Sequence, residues 1–289
     1  MRLGVVVVFD GRPGRAMADL RVTAAHAEAA GVDGLWFPEH VVFFRNYQSS
    51  YPYADDGALR FGRRAGLYDP LVAATVAAGS TSTLRVGTAI LIVPERNPVV
   101  LAQEIAAVDH ASDGRFDLGI GIGWSREEFD ALGIAWERRA ERTDDYIAAM
   151  QSLWRDELVT HASEFVRFAD VIAEPKPVQS PHPPIWVGGG RGAAMRRTAR
   201  LGHGWLGWQV PEAEIADAMT ELDLACEAEG RDPATVARTL GVVVPGPASD
   251  VASYIETAAA CGVGEVIVGI ARPGVSLLTR IDEFAALSR

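Results

Sequence analysis

Apolar residues along this chain fall into short unbroken runs separated by longer stretches of helical spacing. The runs are Leu3–Phe9, Leu35–Phe37, Arg85–Val93, Arg115–Ile122, Ile185–Val187, Gly204–Trp208, Thr239–Val244 and Glu265–Ile270. A run of this length bounded by turn residues, as Leu3–Phe9 is by Asp10-Gly11, reads as a strand buried on both faces. Each is followed by an amphipathic or alanine-rich segment: Met17–Ala30, Asp69–Ala78, Pro98–His110, Arg138–Trp154, Ala193–Leu201, Pro211–Glu229, Ser249–Cys261 and Ser276–Leu287. Gly31 and Gly262 stand where helices end, and Asn97-Pro98 where one begins. Eight strand-then-helix units predict a parallel sheet under helical cover, and the expected closure is a (β/α)8 TIM barrel. The rival, an open doubly wound sheet, would carry GxGxxG in its first turn, which this chain lacks.

Two stretches exceed a minimal barrel, namely the aromatic Val41–Gly66 after strand 2 and the proline-rich Thr160–Pro184 before strand 5. Long loops in compact domains serve as lids, binding segments or contacts. The first of these leaves a strand at its C-terminal end, the face where barrel enzymes place their sites. No linker composition divides residues 1–289, so a single domain is expected.

Charge narrows the partners. With 27 Lys+Arg against 38 Asp+Glu the net charge is −11, so no nucleic acid partner is expected. No apolar run approaches the roughly 20 residues of a membrane span. The chain enters a strand at Leu3 with no signal-peptide pattern before it, so a soluble, cytoplasmic protein is expected. Cys226 and Cys261 are too few for a disulfide framework, and the six His show no HExxH, so no metal is expected. Glycine is in excess: 29 residues, about 10% of the chain against ~7% in ordinary usage.

Three places carry candidate chemistry. Glu39-His40 closes the second strand, at the mouth of the expected barrel, where an imidazole can exchange protons near neutral pH and a carboxylate can orient it. An ordinary surface turn is the alternative. Gly119-Ile-Gly121-Ile-Gly123-Trp124 closes the fourth strand, and alternate glycines clear one strand face for a flat ring or for tight packing. Trp124, just past them, is expected to face substrate. Gly188-Gly189-Gly190-Arg191-Gly192 follows the fifth strand and opens a helix, an arrangement suited to a phosphate or simply to a flexible turn. No GxSxG elbow appears and neither Cys ends a strand, so a covalent nucleophile lacks support.

These phrases, in order, resemble the bacterial luciferase-like oxidoreductases, and more closely their coenzyme F420-dependent branch. The matching residues are Trp36-Phe37-Pro38-Glu39-His40, Val86–Ile90, Pro94-Glu95-Arg96-Asn97-Pro98, Ser112–Arg115, Leu118–Trp124, Glu127-Glu128-Phe129, Glu174–Gln179, Pro184–Gly189 and Gly202-His203-Gly204-Trp205. The resemblance implies a barrel with insertions and a deazaflavin, coenzyme F420, or FMN at its C-terminal mouth. It implies that Glu39 and His40 stand by the reactive ring and that Ala89-Ile90 is a cis non-prolyl peptide behind it. Gly121, Gly123 and Gly204 would contact the cofactor, while Gly188, Gly189, Gly190 and Arg191 would hold its phosphate. Where the family usually has Asp before Gly-Trp, this chain has His203. The implied activity is hydride transfer to or from a small organic substrate. FMN-dependent monooxygenation is the alternative within the fold, and a non-catalytic flavin-binding barrel the alternative outside catalysis. Homodimers are common in that family.

Overall fold

The computed structural model describes residues 1–10, 16–59, 65–270 and 274–288. Eight strands, β1 Arg2–Val6, β2 Gly34–Phe37, β3 Arg85–Thr88, β4 Phe116–Gly121, β5 Ile185–Gly188, β6 Gly204–Trp208, β7 Ala237–Val243 and β8 Glu265–Gly269, pair in parallel in that order. Pairing of β8 with β1 and of β4 with β5 leaves no open edge, so the sheet is a closed (β/α)8 barrel, as the alternation predicts. Nine α-helices are described: α1 Ala16–Ala30, α2 Pro70–Ala78, α3 Pro98–Ala111, α4 Arg126–Leu132, α5 Arg139–Arg155, α6 Ala193–Leu201, α7 Ile215–Ala228, α8 Ala252–Ala260 and α9 Leu277–Ala285. Asn97 caps α3 by accepting from the amides of Val99 and Val100, and Asp69 caps α2 in the same way.

Three local readings change. The apolar run Arg85–Val93 is not one strand: a cis peptide at Ala89-Ile90, where the resemblance placed it, separates β3 from a short strand, Leu91–Ile92, that pairs beside β4. The stretch Thr160–Pro184 is not all loop, because Val159–Ala162 and Arg167–Val171 form an antiparallel hairpin. α4 was not anticipated, and it puts two helices after β4. The Asp10-Gly11 turn lies partly outside the described residues, as do residues 60–64 of the first insertion.

Two apolar layers result. The larger lies between the barrel wall and the helices, and the smaller fills the barrel with Val6, Trp36, Trp186, Leu206 and Ile267. Much of the glycine excess serves this interior. A Cβ on Gly87 would sit 2.7 Å from the Trp36 ring, and one on Gly204 would sit 2.5 Å from the Trp186 ring. The indole N–H groups of these tryptophans donate to buried carboxylates at the N-terminal end, Trp36 to Glu265 at 3.3 Å and Trp186 to Asp117 at 3.0 Å. That end is therefore plugged, and the open end is the C-terminal one.

Candidate functional site

At the C-terminal mouth the strand ends and their loops enclose a cavity of about 1970 Å³. Ligand pockets are commonly ~300–1,000 Å³, so this one has room for a large cofactor with a substrate beside it.

His40 lines that cavity. Its Nδ1 lies 2.8 Å from Glu128 Oε2, and the Trp124 indole N–H points at its Nε2 from 3.3 Å. A carboxylate only accepts and an indole N–H only donates. These partners therefore assign the neutral tautomer with hydrogen on Nδ1 and a lone pair on Nε2. The carboxylate that orients the imidazole is thus Glu128, 88 residues away on α4, rather than the neighbouring Glu39. The other oxygen of Glu128 accepts from the backbone amides of Val41 and Val42.

Glu127, the preceding residue on α4, takes the amides of Gln48 and Ser49. Burial opposes ionisation there, but these amides prevail and bring Glu127 down to about 2. Adjacent carboxylates in the first turn of α4 thus clamp the first insertion. At its far side the Gln209 side chain donates to the Tyr53 carbonyl at 3.1 Å. The clamped segment places aromatic rings against the site: Phe43 lies 5.3 Å from the His40 ring, and Tyr47 and Tyr51 lie 5.3 and 5.2 Å from Trp124.

Glu39 is turned the other way. Its carboxylate takes a two-pronged ion pair from Arg96 and the backbone amide of Ile92. It is buried, and that burial raises its pKa against the pull of Arg96. Its bonds tie the end of β2 to the segment that follows the cis peptide, so it supports the cavity wall and does not orient His40.

The glycines divide into two groups. The Cβ position of Gly121 is taken by Ile90 Cδ1 at 2.4 Å, and that of Gly188 by Ile90 Cγ2 at 2.5 Å. Gly123 makes room for Phe129 and Ile92. All three glycines line the cavity, as Ala89 and Ile90 do, yet the space they clear is used to seat the Ile90 side chain and the wall around it. Gly204 does not join them. It begins β6 at the plugged end, against Trp186 and the Ala237 carbonyl, because the strand runs from there toward the mouth. His203 is at the same end, 5.3 Å from Trp186, and is remote from any phosphate at the mouth.

The loop after β5 is different. Nothing lies within 4 Å of a Cβ on Gly190, and Gly189 has φ +136°, a region open essentially to glycine. The backbone N–H groups of Gly190, Arg191, Ala193 and Ala194 have no acceptor among the described residues. They cluster at the N-terminus of α6, where the helix dipole adds to them. This cradle fits a phosphate.

Arg191 does not contribute its charge there. Its guanidinium donates to Glu221 at 2.6 Å and reaches Glu214 at 3.5 Å, both brought by the chain around α7. Arg197 is likewise engaged by Asp144. Among the lining arginines, Arg139 has no carboxylate partner among the described residues. Its guanidinium stacks 3.6 Å from the centre of the Trp136 ring, and its Nε donates to the Gly123 carbonyl at 3.2 Å. Burial lowers its pKa, though an arginine remains a cation. Arg139 opens α5, which meets α6 through a 3.3 Å bond from Arg197 to the Ala140 carbonyl.

Residues 1–253 match the family model described as luciferase-like monooxygenase. The chain belongs to that family. An uncharacterised protein of Mycobacterium tuberculosis is 33% identical over 234 residues, covering 80% of each chain. An FMNH(2)-dependent dimethylsulfone monooxygenase of Pseudomonas putida is 34% identical over 125 residues, 42% of this chain and 34% of the other. Among solved structures, an F420-dependent secondary alcohol dehydrogenase in complex with an F420-acetone adduct superposes with a TM-score of 0.79. It shares 15% identity and covers 99% of this chain and 97% of that one, a likeness of fold. Proteins similar to this chain thus include, by sequence, one named for FMNH(2) and, by fold, one named for F420. Among the described residues no helix is long and apolar enough to cross a membrane.

Of the residues the sequence singled out, His40, Glu39, Ala89, Ile90, Gly121, Gly123, Trp124, Gly188, Gly189, Gly190 and Arg191 line one cavity. Glu128 and Arg139 were missed as site residues. Glu128 carried a signal, since Glu127-Glu128-Phe129 is one of the matching phrases, while Arg139 sat unremarked in the helical stretch.

Proposed function

We propose that this luciferase-like protein is an oxidoreductase that binds coenzyme F420 at the barrel mouth. There it exchanges a hydride between that deazaflavin and a small organic substrate. The carrying observation is the tautomer of His40: Glu128 holds Nδ1–H, which leaves Nε2 as a proton acceptor facing the cavity. The bound coenzyme would supply the hydride donor or acceptor. The chain handles the proton that accompanies it.

In the oxidative direction, a substrate hydroxyl takes the place of the Trp124 N–H at Nε2. At 3.3 Å that bond is at the long end for N–H donors and is readily displaced. His40 accepts the hydroxyl proton, and the Glu128 carboxylate stabilises the resulting imidazolium. In the reductive direction the same atom returns the proton. Trp124 and the aromatic insertion cover the site against water. The phosphate of the cofactor is held by the amides of Gly190, Arg191, Ala193 and Ala194 together with Arg139, the Gly192 amide between them being taken by Glu221.

A second reading, reduced FMN with oxygen, is supported by the 34% identity to the dimethylsulfone monooxygenase. A non-catalytic binding barrel would have no use for an oriented acceptor nitrogen at the cavity wall.

Titration of the fluorescence of the seven tryptophans with F420 and separately with FMN tests the assignment. Saturable quenching by F420, stronger than by FMN, is expected. Quenching by FMN alone sinks the deazaflavin reading. The same titration separates the two arginines. Arg139→Ala removes a partly buried charge with no carboxylate partner among the described residues and is expected to weaken binding about 10- to 100-fold, the worth of one charge-assisted hydrogen bond. Arg191→Ala removes a half-exposed guanidinium already matched by two carboxylates, and a change within about threefold is expected. The reverse order would move the phosphate to Arg191.

A further inference from the structure

The amide cradle at the head of α6 already holds one anion, supplied by the protein itself. The amides of Gly190, Arg191, Ala193 and Ala194 have no acceptor among the described residues, but that of Gly192, in their midst, donates to Glu221 Oε1 at 3.0 Å. Glu221 reaches it from α7. Its second oxygen accepts from Arg191 Nε at 2.6 Å, which engages the one guanidinium that belongs to the loop. Glu214 and Asp217 act on the same guanidinium, and the spacing 214, 217, 221 puts the three carboxylates along one side of the start of α7. Three negative charges against one positive leave the rim of an anion site acidic. A neutral acceptor such as Gln would satisfy the Gly192 amide equally well, so the charge of Glu221 calls for a separate reason.

We infer that Glu221 is a specificity-determining residue of the cradle: its resident carboxylate penalises a doubly charged phosphate monoester relative to a singly charged diester. The inference deepens, and rests on, the reading of the cradle as the seat of the cofactor phosphate.

The penalty is Coulombic and grows in proportion to the charge on the phosphate. FMN ends in a monoester of about −1.5 to −2 at pH 7. In F420 the phosphate links two parts of the molecule as a diester, which keeps a single negative charge across the same range. The amides of the cradle hydrogen-bond either group alike, so discrimination is left to the carboxylate beside them. Glu221 is half-exposed, and water and salt screen it. The expected effect is therefore about threefold in affinity for each unit of phosphate charge.

Glu221→Gln removes the charge and keeps an oxygen that accepts from Gly192, so the loop retains its partner. Wild type and variant are titrated by tryptophan fluorescence at pH 8 and low salt with FMN, F420 and riboflavin, which has no phosphate. The variant is expected to bind FMN about tenfold tighter and F420 about threefold tighter, with riboflavin unchanged, and the FMN gain should shrink as salt is raised. No FMN gain beyond that of riboflavin overturns the inference, whether or not F420 binds, and so does an F420 gain equal to that for FMN. A structural role alone, as partner of the Gly192 amide, would move all three ligands together or none. The wild-type titration by itself judges the coenzyme. Binding of FMN without F420 sinks the deazaflavin reading, while the comparison of FMN with riboflavin still decides the role of Glu221.

Discussion

Replacing His40 by Ala is expected to lower turnover by about 10²- to 10⁴-fold, the usual contribution of a positioned acid–base group, while coenzyme affinity stays within about threefold. The asymmetry follows from where the residue sits. Among the described residues His40 meets Glu128, Trp124 and Phe43, on the side of the cavity away from the cradle at α6, which its removal leaves in place. The truncation leaves Glu128 with its two backbone amides, so that carboxylate stays satisfied and the insertion stays clamped. Single-turnover reduction or oxidation of the coenzyme, with a separate fluorescence titration, distinguishes the two effects. Loss of binding in step with loss of turnover would instead make His40 part of the cofactor seat.

Gly119→Ala should be the most damaging small change in the barrel. A Cβ at that position falls 1.9 Å from the Thr88 carbonyl oxygen, and Thr88 itself donates to the Gly119 carbonyl at 2.6 Å. The obstructing atoms, the carbonyl oxygen and carbon of Thr88, are backbone of the neighbouring strand β3, so the clash is relieved only by parting β3 from β4. Destabilisation above about 4 kcal/mol is expected, a large share of the ~5–15 kcal/mol that holds an ordinary domain together. Gly190→Ala supplies the contrast: that Cβ enters open space, and stability should change by no more than about 0.5 kcal/mol. Melting curves of the two variants against wild type decide the matter. Equal melting temperatures for Gly119→Ala and wild type would show that the strands yield easily there.

The barrel was legible because its strands are buried on both faces, which writes each as an unbroken apolar run. α4 was not, since Arg126–Leu132 is short and mostly charged, with Phe129 its one fully buried apolar side chain. The hairpin at Val159–Val171 was hidden for the same reason, an exposed ribbon with little apolar patterning. At the site, adjacency in the chain misled. Glu39 and His40 are neighbours, but successive side chains of an extended segment point opposite ways. One meets Arg96 and the other Glu128. Arg191 looked like a phosphate ligand because it interrupts glycines, and nothing local announces that residues 214 and 221 return to neutralise it. Position along the chain identified the mouth correctly, whereas ionic partners come from anywhere in the fold.

The clamp in the first turn of α4 binds the first insertion to the imidazole. Glu127 and Glu128 are consecutive, and between them they fix Val41, Val42, Gln48 and Ser49 as well as His40. Under the proposed function, the loop that would cover the substrate and the group that would take its proton are therefore one mechanical unit. Re-engineering the insertion calls for changing the opening turn of α4 along with it. A loop of different backbone course grafted alone would leave the two carboxylates without their amides, with Glu128 holding the imidazole by itself.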